Sequence, residues 1–156
     1  MESSMTARNV SDCVLRIGLG AVFVYAGGMK LPDIEAFFWD IHHFELTHPD
    51  ASMVLAFFLP WLEIFAGLAL ILRRLYLGGL CLCTALSTVF LGAIGSAWYR
   101  GLDITCGCFG REDNATNFPK HIAINCAMLL ASLALWWLAR DRTRNGEPDA
   151  IDTVTA

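Results

Sequence analysis

Two cysteines one residue apart, Cys106 and Cys108 with Gly107 between them, have the type and spacing most suggestive of chemistry. A Cys-x-Cys pair can close a small, strained disulfide ring, and strain raises the reduction potential. Gly107 removes the Cβ penalty on the tight backbone that such a ring needs. A bond of this kind exchanges readily with other thiols. Two other readings stay open at this point. Each cysteine could pair elsewhere, or the two could simply pin their segment as a structural disulfide. Two thiolates could also hold soft Cu(I), although no third ligand lies within a few residues and His121 is 13 positions beyond Cys108. Cys13, Cys81 and Cys83 fall inside apolar runs and read as small buried hydrophobes, and Cys126 sits near the outer end of the last run.

The second candidate is Glu63, a carboxyl inside a 22-residue apolar stretch. A carboxyl at mid-membrane is expensive unless protonated or paired, which makes it a functional candidate by default. Arg16, the one charge in the first apolar stretch, is its expected partner. The pair reads either as a structural link between two helices or as a quinone or proton site. His42, His43 and His48 form a histidine cluster in the sequence. Adjacent histidines point about 100° apart on a helix, which suits a solvated surface better than metal coordination, and no metal site is assigned.

The elements that position these residues follow from composition. Hydrophobic residues make up 56% of the 156-residue chain and charged residues 17%, against roughly 45–50% and about 25% in soluble domains. Mean hydropathy is +0.51. The net charge of −4 leaves no basic surface for nucleic acid. Phosphate loops, dinucleotide turns, nucleophile elbows and zinc-protease helices are all missing from the sequence. Instead there are four apolar stretches: Cys13 to Met29, Ala51 to Leu72, Leu75 to Tyr99 and Ile122 to Ala139. As helices rising about 1.5 Å per residue, each approaches the roughly 30 Å of a bilayer core. The expected fold is an all-α, four-transmembrane-helix bundle over residues 10–139. It is preceded by a short N-terminus (1–9) and followed by a polar tail (140–156) expected to be disordered. The first stretch is read as a retained helix rather than a cleaved signal, because Gly27-Gly28-Met29-Lys30 is a poor cleavage site.

Orientation comes from the cations. Arg8, Arg16, Arg73, Arg74, Arg140, Arg142 and Arg144 collect on one side, seven of the 11 Lys plus Arg, while Lys30, Arg100, Arg111 and Lys120 lie on the other. The richer side is expected to be cytoplasmic, with both termini there. The Cys106–Cys108 segment then faces the periplasm, where disulfides persist. Between the first two stretches, Ile34, Phe37, Phe38, Ile41 and Phe44 share one helical face, which predicts a short helix lying on the membrane surface.

Cys106-Gly107-Cys108-Phe109-Gly110 beyond the third apolar stretch resembles the methylamine utilisation protein MauE family, within the wider DoxX-like group of four-helix membrane proteins. Arg16-Ile-Gly-Leu-Gly, Tyr25-Ala26-Gly27-Gly28-Met29-Lys30-Leu31 and Leu59-Pro60-Trp61-Leu62-Glu63 with Gly67 resemble the group's first- and second-helix patterns. Where the family often carries Arg-Asn in the fourth helix, this chain has Ile124-Asn125, and its nearest cations are Lys120 and His121. The resemblance implies a multi-pass protein of the bacterial inner membrane. Such a protein would assist thiol–disulfide maturation of a periplasmic protein, in methylamine metabolism, beside a thioredoxin-like partner and a disulfide-containing client. Cys106 and Cys108 would be the redox pair, supported by Gly107, Phe109, Gly110, His121 and Asn125. No cofactor is certain, and a quinone is the class left open. The alternatives are a membrane subunit of a quinone-linked oxidoreductase and a non-enzymatic scaffold or metal-handling protein.

Overall fold

A computed structural model describes residues 2–73, 75–101 and 118–144, and every described element is helical. Helix α1 spans Glu2–Lys30, and a 3-10 turn over Leu31–Asp33 leads into α2, Ile34–His43. Helices α3, α4 and α5 span Pro49–Ile71, Tyr76–Tyr99 and Phe118–Arg144. Among the described residues, four helices are long and apolar enough to cross a membrane, as the four stretches in the sequence led one to expect. The helices run past their apolar stretches at both ends of the chain. At the C-terminal end α5 continues to Arg144, past the apolar stretch that ends at Ala139. Residues 145–156 lie outside the described residues, as do Cys106 to Gly110.

Small residues hold α1 and α3 together. A Cβ added at Gly67 would stand 2.5 Å from the Gly20 carbonyl oxygen, and one at Gly27 would stand 2.6 Å from that of Pro60. The backbones therefore touch at two levels, with Gly20 opposite Gly67 and Gly27 opposite Pro60, which makes the helices antiparallel neighbours. Gly79 brings α4 against α3 in the same way, 2.9 Å from the Ala69 Cβ. Between α3 and α4 the chain turns within a few residues, with Arg73 at φ 57° and Leu75 at φ 59°. The Trp136 indole N–H donates to Thr84 Oγ1 at 3.2 Å and registers α5 on α4. Leu19, Phe23, Ala66, Leu70, Leu80, Cys83, Leu86, Met128 and Leu135 form the core.

Buried and exposed residues are inverted relative to a water-soluble protein. Phe58, Phe65, Leu75 and Trp137 are each more than 60% exposed, whereas Asp12, Arg16, Lys30, Glu63, Ser87 and Asn125 are buried. An apolar exterior around a polar-studded interior suits a bundle solvated by lipid. Helix α2 forms as the periodicity indicated, with the Asp33 side chain accepting from the Ala36 N–H at 2.9 Å as its N-cap. It packs on the bundle through buried Phe37.

Candidate functional site

Glu63 lies in the middle of α3, 1% exposed, three residues after Pro60. The Lys30 ammonium, on the last turn of α1, donates to both of its carboxylate oxygens at 2.7 Å. Both side chains are 2% exposed. The Phe37 ring of α2 lies 5.3 Å from Lys30 Nζ and the Phe90 ring of α4 lies 5.2 Å from it, both within cation–π range. Four elements thus converge on one buried ion pair. Helix α4 also brings Cys83 and Ser87 to the face that carries Phe90, and both are fully buried. Ser87 Oγ has no hydrogen-bond partner among the described residues. Thr84 and Thr88, on the same helix, instead give their hydroxyls to the carbonyls one turn back.

The expected Arg16–Glu63 pair does not form. Arg16 instead donates from Nη1 to the carbonyl oxygens of Leu70 and Ile71, both at 3.0 Å, at the C-terminus of α3. The reason is geometric. With Gly20 opposite Gly67, Arg16 stands level with the end of α3, about eight residues or roughly 12 Å from the Glu63 level. Side chains tilt toward the N-terminus of their own helix. In this antiparallel pair Arg16 leans away from Glu63, while Lys30 and Glu63 lean toward each other. The guanidinium satisfies helix-end carbonyls that have no partner within the helix. Beside it, Arg73 reaches the buried Asp12 carboxylate at 3.1 Å.

Lys30 is the site residue that sequence reasoning missed, because it was counted as an outer-loop cation. A signal existed. The buried stripe of α1 runs Asp12, Arg16, Leu19, Phe23, Ala26, Lys30 at alternating spacings of four and three, so Lys30 continues the inward face. Its removal from the outer loops leaves Arg100, Arg111 and Lys120 there, three cations against seven.

The other sequence candidates divide by position. Cys106, Gly107, Cys108, Phe109 and Gly110 lie outside the described residues, between Gly101 and Phe118. Asn125 is buried and donates to the His121 carbonyl at 3.0 Å, closing a side-chain bond along α5 rather than meeting the charge pair. Cys83 is buried as expected, but Cys81 is exposed and Cys13 is half-buried. Two positions along a helix turn about 200°, so when Cys83 faces the core Cys81 must face outward. No group of three His, Cys, Asp or Glu side chains among the described residues is placed to hold a metal. His42 stacks on Phe38 with ring centroids 5.8 Å apart.

The family model described as "Methylamine utilisation protein MauE" matches residues 8–138. Among curated proteins, the methylamine utilization protein MauE of Paracoccus denitrificans is 34% identical over 96 residues, covering 61% of this chain and 52% of its own length. The chain therefore spans about half the length of that relative. No solved structure matches.

Proposed function

The chain belongs to the MauE family, and from that membership we propose that it is a multi-pass inner-membrane protein of methylamine utilisation that assists thiol–disulfide maturation of a periplasmic protein. One observation carries the reading furthest. Helix α4 ends and α5 begins at the same end of the bundle as α2, since Arg100 bonds the Phe44 carbonyl and α5 returns antiparallel beside α4. The Arg16–Arg73–Asp12 cluster marks the opposite end. With the Arg-rich end taken as cytoplasmic by the charge rule, and both termini there, the reading has Cys106 and Cys108 on the oxidising side. Helix α2 then lies at the periplasmic interface.

In the proposed reaction a client thiolate attacks one sulfur of the Cys106–Cys108 disulfide, and the other cysteine leaves as a thiolate. The client's second thiolate then attacks the mixed disulfide. This closes the client disulfide and leaves both cysteines reduced. Two electrons have moved to the pair, and an oxidised thioredoxin-like protein or a quinone accepts them. The alternative, a quinone-linked oxidoreductase subunit, relied on Arg16 and Glu63 sharing a site, but Arg16 of α1 binds the C-terminal carbonyls of α3 while Glu63 lies in the middle of α3 with Lys30. Trapping tests the favoured reading. With Cys108→Ser the resolving sulfur is gone, so Cys106 should hold a mixed disulfide with client or partner on non-reducing gels. Cys106→Ser should do the same through Cys108. If neither variant traps an adduct and both support full maturation, the thiol reading is wrong.

A further inference from the structure

We propose that Glu63 is a proton-exchanging group inside the bundle, and that the site is built to hold it in a protonated as well as an ionised state. This does not rest on the thiol reading. In the ionised state Lys30 donates to both carboxylate oxygens. Protonating such a buried pair leaves a lone cation in low dielectric, which an apolar site resists. Here that cation already has company, because the Phe37 and Phe90 ring faces lie 5.3 and 5.2 Å from the ammonium. The carboxylic acid has a waiting partner as well. Ser87 Oγ is fully buried and without a hydrogen bond among the described residues. It shares its helical face with Phe90, three residues on, and with Cys83, four residues back. An orphaned buried hydroxyl forfeits its hydrogen bond to water without replacement, which is unfavourable. A second arrangement in which it is satisfied explains why it is tolerated.

In the proposed step an O–H bond forms between a Glu63 oxygen and a proton from the aqueous phase, and no electrons move. The salt bridge opens, the acid forms a hydrogen bond with Ser87, and Lys30 keeps its charge against the two rings. The site goes from neutral to one positive charge. Among the described residues, Lys30 of α1 is the titratable group bonded to Glu63, and Cys83 of α4 is buried on the helical face that carries Ser87 and Phe90. On α2, Asp33, Glu35 and His43 are exposed, Asp40 and His42 are half-buried, and Phe37 is the residue that meets the pair. The buried polar groups of α5, Asn125 and Ser132, bond carbonyls of their own helix.

Infrared difference spectra of the full chain in lipid nanodiscs, carboxyl-labelled with 13C-glutamate, test this directly between neutral and acid pH. The expected result is one carbonyl band from a buried glutamic acid that appears on acidification, disappears in Glu63→Gln and moves in Ser87→Ala. Circular dichroism monitors the fold throughout. Absence of such a band in the wild type while the fold is intact overturns the proposal, as does a band that survives in Glu63→Gln or stays fixed in Ser87→Ala. If Glu63→Gln does not fold, the Ser87→Ala comparison decides alone.

Discussion

Glu63 was legible in the sequence because a lone carboxyl in an apolar run is conspicuous, whereas its partner was not. Arg16 is the one charge in the first apolar stretch, but the presence of a charge in a stretch does not give the direction in which its side chain leans along the helix. That lean decides the pairing. Removing one partner of a buried ion pair costs about 3–5 kcal/mol, while removing both costs less than the sum. Lys30→Ala and Glu63→Ala should therefore couple strongly in a detergent-unfolding cycle. Arg16→Ala and Glu63→Ala should be additive within about 0.5 kcal/mol. Coupling between Arg16 and Glu63 instead would contradict the geometry. Ser87 carried no sequence signal beyond its spacing from Leu80, Cys83 and Ile94, since a serine in a membrane helix ordinarily bonds its own backbone.

Among the elements, α1 and α3 depend on glycine at two crossing points, and nothing in the sequence sets these glycines apart from the others in the apolar runs. Which ones matter follows from what a side chain would strike. At Gly27 and Gly67 the obstacles are carbonyl oxygens at 2.6 and 2.5 Å, which cannot move without moving a helix. Gly18 has nothing within 4 Å. Gly67→Ala should lower stability by about 1–3 kcal/mol through overpacking. Gly18→Ala, on an open face, should be neutral or slightly stabilising because alanine is the better helix former. Equal thermal shifts for the two variants would argue that the α1–α3 contact is looser than described.

The molecule as a whole was the most legible level. Length and hydropathy suffice for four spans because the backbone in lipid has so few solutions. The sequence did not reveal that α2 would fold its Phe37 over a lysine, since that depends on which faces meet. Orientation is checked by fusion. A reporter active only outside the cytoplasm should work when fused after residue 110 and be silent when fused after residue 74. The reverse pattern would invert the bundle and remove the oxidising environment from Cys106 and Cys108.

The buried charges of α1 also bear on how the chain enters the bilayer during synthesis. Lys30 meets Glu63, Asp12 meets Arg73 and Arg16 meets the end of α3, so each of these partners lies within the first 73 residues. Inserted alone, a helix pays about 2.5–3.5 kcal/mol for a charge near its centre. Inserted together, α1 and α3 cancel that penalty between themselves before α4 leaves the ribosome. The first two spans are thus suited to partition into the membrane as one hairpin, and the later helices join a template whose buried charges already have partners.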